Sequence, residues 1–203
     1  MLKLYDFLPS GNSYKVRLLL SQLDILYKRI DVDILKGQTR TSEFLAKNPN
    51  GRIPVLEIEP QVYLSESNAI MLYLARGSSL LPRDPLSYAK VLQWLFFEQF
   101  SHEPYIATSR YWITLLGKER EYHDELQKKR GPGNAALKLM DQHLGINNYL
   151  VSDRYTIADI GLYAYTHVAP EGGFDLDSFP NIVAWLDRVA LQTAYIDIRH
   201  IPS

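Results

Sequence analysis

The segment from Asn48 to Ile70, NPNGRIPVLEIEPQVYLSESNAI, constrains the fold more than any other part of the chain. It opens with Asn48-Pro49-Asn50-Gly51, a dense cluster of turn-forming residues, because Asn and Gly accept positive φ and Pro fixes it. Two short apolar runs follow, at 55–58 and 62–64, and they are close enough to pair as a hairpin. Residues 65–68, Ser-Glu-Ser-Asn, then precede another apolar run and indicate the start of a helix. The segment therefore predicts a turn, two antiparallel strands and a helix.

Two features of this segment suit the binding of a small peptide. Pro54 stands at the entrance of the first strand, where a missing N–H is tolerated. An X-Pro bond at such a bend can be cis, which turns the N–H and C=O of Ile53 outward. The helix start after Ser65 presents N–H groups and the positive end of a helix dipole. An extended backbone edge beside an anion-binding helix terminus is what a peptide with a free carboxylate requires.

Four motifs carry a resemblance to a known family: SGNSYKVRLLL from Ser10, GRIPVL from Gly51, SES from Ser65 and YTIADIGLYAY from Tyr155. In this order and at these spacings the chain resembles the soluble glutathione transferases. The resemblance implies an α/β plus all-α protein, with a thioredoxin-like N-terminal domain (βαβαββα) followed by an all-helical C-terminal domain. It also implies glutathione as co-substrate. The motif set is specific for the superfamily and weakly specific for the reaction.

The periodicity of apolar residues changes once along the chain and predicts the domain boundaries. Residues 1–77 alternate between strand and helix patterns, and we assign them to the thioredoxin-like, glutathione-binding domain. Residues 78–85, SSLLPRDP, form a linker, and 86–203 form the helical domain, since no strand pattern follows. We expect one long helical region over 86–116. Gly131-Pro132-Gly133 is expected to break or bend the next helix.

Composition and charge exclude several classes of function. The net charge of −1 gives no support for binding to nucleic acid or to an anionic membrane. The N-terminus lacks the pattern of a signal peptide, and no apolar run is long enough to span a membrane, so we expect a cytoplasmic protein. With no cysteine in the chain, any thiol chemistry must belong to the substrate or co-substrate. The histidines lack ligand-like spacing, and we expect no metal site.

The loop between the first strand and the first helix, Leu8 to Ser13, is where the chemistry should lie. A thiol is mostly protonated at neutral pH, and hydroxyl or amide donors at a helix start stabilise its thiolate. Ser10 resembles the catalytic serine of zeta-class enzymes, and Ser10 and Asn12 together resemble the threonine and asparagine of Ure2-like enzymes. Ser10 is the first candidate and Asn12 the second. The alternative is that these residues only cap the helix. Tyr5, in the preceding strand, is expected to pack.

The resemblance assigns further residues to substrate binding. Gln38 and Arg52 match residues that reach the glycyl carboxylate of glutathione. Ile53 and Pro54 match the backbone that binds its cysteinyl part. Glu66 and Ser67 match the pair that binds its γ-glutamyl end. A second substrate is expected between the domains, and Tyr105, Arg110 and Tyr111 are candidates for its pocket. The alternative for these three is that they belong to the helical core.

The predicted function is a cytoplasmic, homodimeric glutathione transferase with a role in detoxification. It would stabilise the thiolate of glutathione and transfer it to a small electrophile, while the departures of the loop from the zeta pattern make maleylacetoacetate isomerisation doubtful. One alternative is a glutathione-dependent disulfide reductase, and another is a non-catalytic binding or regulatory protein. Thr156 and Asp159 form a predicted capping box, so Asp159 is assigned to the fold rather than to catalysis.

Overall fold

The structure is a computed structural model that describes residues 1–151 and 153–201. These residues form two compact units. One unit contains Met1–Ser78 together with the chain from Thr193 onward, and the other spans Ser79–Gln192. Each unit has its own architecture.

The first unit is built on a four-stranded mixed sheet. Its elements are, in order, β1 (Leu2–Asp6), α1 (Gly11–Gln22), β2 (Tyr27–Asp31), a 3₁₀ turn (Gln38–Arg40), α2 (Ser42–Leu45), β3 (Val55–Glu59), β4 (Val62–Ser65) and α3 (Ser67–Leu74). The strand order is β2-β1-β3-β4. Strand β1 runs parallel to β2 and antiparallel to β3, which is antiparallel to β4. The predicted βαβαββα order and thioredoxin-like fold are confirmed.

The two faces of the sheet bury different sets of side chains, because successive residues of a strand point to opposite faces. On one face, fully buried Leu4 and Leu56 pack with residues of α1 and α3, including Val16 and Ile70. On the other face, neighbouring strand residues pack around Phe44 of α2. Helices α1 and α3 therefore rest on the same side of the sheet and share one core.

In this first unit, the chain from Thr193 to Ile201 packs along α1 and is held there by three hydrogen bonds. Tyr14 donates from Oη to Ile196 O at 2.7 Å, Arg17 donates from Nη2 to Ile198 O at 2.9 Å, and Ser21 donates from Oγ to Ala194 O at 2.8 Å. The three donors lie about one helical turn apart along α1, on one side. The sequence placed this segment in the helical range 86–203, because apolar periodicity carries no information about side-chain-to-backbone bonds made over so long a separation.

The second unit contains only helical elements among the residues that the structure describes, apart from one isolated bridge between Val151 and Arg154. Its elements are α4 (Pro85–Phe97), a π turn (Glu98–His102), α5 (Glu103–Arg110), a second π turn (Tyr111–Leu115), α6 (His123–Leu144), α7 (Ile157–Thr166), a 3₁₀ turn (Ala169–Gly172) and α8 (Pro180–Ala190). The predicted all-helical fold is confirmed. The expected helical region over 86–116 is interrupted twice by π turns, which shift the faces that follow them.

Of the expected break or bend at Gly131-Pro132-Gly133, the break is wrong, since α6 continues through all three residues. Pro132 removes one backbone donor from the helix, and its neighbours Arg130 and Gly133 make tertiary contacts. A Cβ on Gly133 would lie 2.4 Å from Cε1 of Phe174. Arg130 donates from Nη1 to Gly172 O at 2.8 Å and covers the Phe174 ring. Gly133 is therefore needed for the close approach of an aromatic ring rather than for a turn.

The predicted capping box at the start of α7 is confirmed. Asp159 is fully buried and accepts hydrogen bonds from Leu150 N, Thr156 N, Thr156 Oγ1 and Trp185 Nε1. Burial raises the pKa of its carboxyl to about 6, and these four donors oppose the rise. Asp159 therefore ties α7 to α8 and to the chain before α7. Within 1–151 and 153–201, no helix has the length and apolarity needed to cross a membrane.

Candidate functional site

Ser10 ends the β1–α1 loop and is the N-cap of α1, in an extended conformation with φ −73° and ψ 125°. Its Oγ accepts from Ser13 N at 3.3 Å, and the side chain is buried. A hydroxyl can accept and donate at once, so this cap leaves the Ser10 O–H available as a donor. Capping the helix and contacting an anion are therefore compatible roles for Ser10.

A buried ion pair holds this loop in place. Arg17 and Asp6 are both fully buried, and Arg17 Nη1 donates to Asp6 Oδ1 at 2.6 Å. The other terminal nitrogen, Nη2, donates to Leu8 O at 2.8 Å, which is in the loop itself. Arg17 therefore fixes the path of the chain between the end of β1 and Ser10 by two bonds from one rigid guanidinium.

The start of α3 has an unusual backbone. Glu66 is its N-cap, with φ 69° and ψ 110°, and its side chain makes no capping bond. Positive φ is costly for a residue with a Cβ, and residues in such conformations cluster at functional sites. Ser67, the next residue, is buried and begins the helix. The Glu66 side chain is exposed, while the first-turn N–H groups of α3 have no intrahelical acceptor.

The two helix starts meet through hydrogen bonds between their side chains. Asn12 Oδ1 lies 3.3 Å from Ser67 Oγ, which donates to it. Lys15 Nζ donates to Asn12 Oδ1 at 2.9 Å, to Ser67 Oγ at 3.3 Å and to Asn68 Oδ1 at 3.4 Å. Asn12 and Ser67, both predicted from the sequence, are thus brought together although they are 55 residues apart.

Lys15 is a site residue that the sequence reasoning missed. Its side chain is fully buried within the first unit, where lysine is rare unless its ammonium is satisfied. The available signal was a lysine one turn after Asn12, in a helix whose next turn carries the apolar residues Leu18 to Leu20. We name the four contacting residues, Asn12, Lys15, Ser67 and Asn68, the Lys15 cluster.

The turn before β3 places the Ile53–Pro54 peptide, and that bond is cis, as expected. Asn48 is buried, and its Nδ2 donates to Arg52 O at 2.8 Å. Gly51 has φ 64° and is closed in by the Arg40 side chain, so that a Cβ there would lie 2.4 Å from Nη1. The backbone on either side of Arg52 is therefore held by its own turn.

Gln38 and Arg52 are both exposed. Gln38 Oε1 accepts from Asp33 N at 2.7 Å, which leaves its amide nitrogen as a donor. Gln38 also lines a cavity of about 250 Å³ on the α2 side of the sheet, together with Tyr5 and Lys47. The Arg52 side chain extends from the turn described above. The assignment of both residues to the glycyl end of glutathione stays a prediction.

Tyr5 packs in the sheet, as expected. Its ring makes edge contacts with Phe44 and Tyr63, and its Oη donates to Glu57 Oε2 at 2.9 Å. Burial and the Glu57 carboxylate raise the pKa of the Tyr5 phenol well above its ordinary value. Tyr5 therefore serves the α2 side of the sheet and is an unsuitable source of a proton or a phenolate.

The three candidates for a second-substrate pocket lie in the second unit. Arg110 is buried, and its Nε donates to Glu171 Oε2 at 2.6 Å. Lys129 lies over the Tyr105 ring at 5.7 Å, and Tyr111 is half-buried in the second π turn. Arg110 thus anchors the 3₁₀ turn that contains Glu171. A role for these residues in substrate binding stays a prediction.

No group of three or more histidine or acidic side chains is placed to hold a metal ion within residues 1–151 and 153–201. The site itself offers hydroxyl, amide and backbone donors, a buried ammonium and two helix N-termini. All of these groups stabilise anions.

Comparison with known proteins agrees with the geometry. Residues 1–76 match the glutathione S-transferase N-terminal domain, and residues 91–192 match the glutathione S-transferase C-terminal domain. Glutathione S-transferase 1 of Schizosaccharomyces pombe is 31% identical over 94% of this chain and 92% of its own. A crystal structure of a glutathione S-transferase from Pseudomonas fluorescens is 50% identical, with a TM-score of 0.95 over 97% of this chain and 98% of that one.

A further solved structure shows the ligand of a relative. A glutathione transferase family member from Pseudomonas fluorescens, crystallised with two glutathione molecules bound, is 28% identical to this chain. Its TM-score is 0.86, and the match covers 99% of this chain and 93% of that one. The matched domains, the whole-chain similarity and the fold lead to one conclusion: the chain belongs to the glutathione S-transferase family.

Proposed function

We propose that this glutathione S-transferase binds glutathione in its first unit, stabilises the thiolate with Ser10 and Asn12, and transfers the sulfur to a small electrophile. The hydrogen-bonded contact between Asn12 and Ser67 carries the proposal. It joins the N-terminus of α1 to the N-terminus of α3, so one ligand can place an anion at each. In glutathione, the thiolate and the γ-glutamyl carboxylate are the two groups that we assign to these helix ends.

The thiolate end is assigned to the start of α1. A thiol has an ordinary pKa of about 8.5, so only a few per cent is ionised at neutral pH. One hydrogen bond to a charged acceptor is worth about 1.5–3 kcal/mol, which lowers a pKa by roughly one to two units. The Ser10 hydroxyl and the Asn12 amide are the donors, and the α1 dipole adds to them.

The rest of the ligand follows the surface of the same unit. The first turn of α3, beginning at Ser67, receives the γ-glutamyl carboxylate, and the exposed Glu66 carboxylate pairs with the adjacent ammonium. The backbone of Ile53 pairs with the cysteinyl part, with Pro54 fixing the bend. Gln38 and Arg52 are assigned to the glycyl carboxylate. The proposed contact between Glu66 and the ligand gives a functional reason for the strained backbone conformation of this residue.

The proposed reaction needs no covalent step on the protein. The thiol proton leaves to solvent as the thiolate forms, and a sulfur electron pair then makes a new C–S bond to the electrophile. From an aryl halide, the halide leaves with the bonding electron pair. From an epoxide, the C–O bond opens and the oxygen takes a proton from water. The protein contributes by holding the thiolate ionised and in place.

Disulfide reduction is the second candidate, and the resemblance of the loop to that of Ure2-like enzymes at Ser10 and Asn12 favours it. The bound thiolate would attack a mixed disulfide of glutathione, forming glutathione disulfide and releasing the other thiolate. Since the chain has no cysteine, all three sulfur atoms belong to the substrates.

The test combines binding, ionisation and turnover on the wild-type protein. We expect millimolar glutathione to raise the melting temperature by mass action, and the ultraviolet thiolate absorbance of the complex to titrate below pH 8.5. Aryl halides, epoxides and a mixed disulfide then separate transferase from reductase activity. Binding without a lowered thiol pKa and without turnover would favour the non-catalytic alternative. Absence of binding would reject the proposal.

We also propose a homodimer, supported by an exposed apolar stripe on α4 and the π turn that follows it. The buried face of α4 carries Trp94 and Leu95, whereas Phe96 and Phe100 are 69% and 84% exposed. Large exposed apolar side chains at adjacent turns of one helix mark interaction surfaces. On the change in apolar periodicity, we further propose that the first domain spans 1–77 and the linker 78–85, and that the helical domain begins at residue 86. A cytoplasmic location and a role in detoxification are proposed as the family resemblance implies.

A further inference from the structure

One buried arginine joins the loop before Ser10 to a distant part of the chain. Arg17 is fully buried, and its Nη2 donates to Leu8 O at 2.8 Å and to Ile198 O at 2.9 Å. Ile198 belongs to the 193–201 segment, the part of the first unit that packs along α1. A terminal guanidinium nitrogen carries two N–H groups, so one is directed to the loop and the other to the segment.

Leu8 O sets the direction in which the chain enters Ser10. Ser10 N donates to Phe7 O at 2.8 Å, which closes a turn over residues 7–10. Leu8 O therefore belongs to the central peptide of this turn, and the two common turn types differ in the orientation of that peptide. The bond from Arg17 selects one of these orientations, and Ser10 follows directly after the turn.

The charge of Arg17 is balanced by a carboxylate that a second arginine shares. Asp6 is fully buried and accepts from Arg17 Nη1 at one oxygen and from Arg29 Nε at the other. Over residues 1–151 and 153–201, the side-chain bonds of Arg29 go to Asp6 and Asp31, and none goes to the loop or to the 193–201 segment. Arg29 is therefore an arginine with the same buried partner and without the bridge.

The packing of the 193–201 segment over Arg17 leaves polar atoms unpaired. A cavity of about 180 Å³ lies there, and its lining includes Arg17, Tyr27, Ile196 and His200. Among the residues that the structure describes, Arg17 Nε and Tyr27 Oη are buried and have no hydrogen-bond partner. Unpaired buried polar groups lower the stability of the closed arrangement, and regions of low local stability open first. A change at the loop can therefore bias the closure of this segment.

We propose that Arg17 is a positioning residue of the glutathione site, which couples closure of the 193–201 segment over α1 to stabilisation of the thiolate by Ser10. The inference rests on the proposed function. With the segment closed, Arg17 holds the Leu8 peptide, and the Ser10 hydroxyl stays where the sulfur is bound. By linkage, a thiolate at Ser10 must stabilise the closed segment by the same factor by which closure strengthens thiolate binding.

Arg17→Lys and Arg29→Lys form a matched pair of variants. Each keeps a positive charge beside Asp6, but lysine lacks the planar fork that bonds to two carbonyls and a carboxylate at once. Arg17→Lys should raise the thiol pKa of bound glutathione by about half a unit to one unit, with a rate loss of roughly three- to tenfold below that pKa. Part of the rate should return at higher pH. Arg29→Lys should lower the melting temperature and leave the thiol pKa unchanged.

The ultraviolet titration at saturating glutathione decides between a positioning role and a purely structural one. Equal thiol pKa values in Arg17→Lys and the wild type, or equal shifts in both variants, would overturn the inference while the thiolate assignment stands. Wild-type protein that neither binds glutathione nor lowers its thiol pKa would reject the proposed function itself.

Solvent exchange of the Arg17 Nε proton, followed by ¹H–¹⁵N NMR, measures the same coupling in the wild type and requires no variant to fold. This side chain is fully buried, so its proton should exchange more slowly than that of the exposed Arg52. Saturating glutathione, at a pH where the bound thiol is ionised, should slow the exchange by a further factor of roughly three to ten. S-methylglutathione cannot form a thiolate and should slow it less. Equal slowing by the two ligands, or no slowing by glutathione, would overturn the inference.

Discussion

Replacing Ser10 separates helix capping from thiolate stabilisation, because the two roles depend on different parts of the hydroxyl. Its oxygen accepts from Ser13 N at 3.3 Å, whereas its hydrogen is the proposed donor to sulfur. Ser10→Ala removes both. Ser10→Gly also removes both atoms, but glycine is itself a good N-cap, so its cost to stability is only a few tenths of a kcal/mol against about 1 kcal/mol for alanine.

The expected magnitudes follow from these contacts. Loss of one donor to the thiolate costs about 1.5–3 kcal/mol, so both variants should raise the thiol pKa of bound glutathione by roughly one to two units. Ser10→Ala should also lower the melting temperature by about 2–4 °C, which a loss of ~1 kcal/mol produces in a chain of this length. Ser10→Thr keeps the hydroxyl and should stay near the wild type in both measurements.

The assay is the ultraviolet titration of thiolate in the saturated glutathione complex, paired with thermal unfolding of the free protein. Asp84→Ala is the control for capping, since Asp84 caps α4 by accepting from Ser87 N at 2.9 Å. It should lower the melting temperature and leave the thiol pKa unchanged. A thiol pKa that is the same in Ser10→Gly and the wild type, or that follows the melting temperature across the series, would refute the assignment of Ser10.

Three other predictions address the strained cap, the buried acid and the dimer. Glu66 has a φ of 69°, so Glu66→Gly should relieve backbone strain and be more stable than Glu66→Ala by up to about 1 kcal/mol. Both variants should bind glutathione more weakly when affinity is measured by calorimetry. Equal stability of the two variants would contradict the strain. For Asp159, whose pKa of about 6 exceeds its unfolded value, the contribution to stability is complete below about pH 4 and declines as pH rises to 6. The difference in urea unfolding free energy between the wild type and Asp159→Asn should therefore shift by up to roughly 3 kcal/mol, against the wild type, between pH 4 and 7, and a flat difference would disprove the raised pKa. The double variant Phe96→Asp and Phe100→Asp should sediment as a monomer at micromolar concentration. Leu191→Asp, at another exposed apolar position, should sediment like the wild type. A wild-type species of 23.4 kDa would reject the proposed dimer.

The features that the sequence alone determined are those made by neighbours in the chain. The turn before Pro54, the helix start at Ser67 and the capping box of Thr156 and Asp159 each depend on residues within a few positions of one another. Local steric limits and short side-chain-to-backbone bonds decide such features, so residue type and spacing were sufficient. The order of strands and helices in the first unit followed from apolar periodicity in the same way.

Other features depended on contacts between distant parts of the chain, and only the tertiary structure decided them. Pro132 lies within α6, where Phe174 is close to Gly133 and Gly172 accepts a hydrogen bond from Arg130. Phe96 lies in the same apolar run as Leu95, yet one is exposed and the other buried, since a helix has faces that composition does not distinguish. Lys15 read as an ordinary helix lysine until the fold placed Ser67 and Asn68 against its ammonium. Lys15 is buried and hydrogen-bonded to residues more than fifty positions away in the chain. Burial and such distant contacts are properties of the packed structure, and the local sequence does not show them.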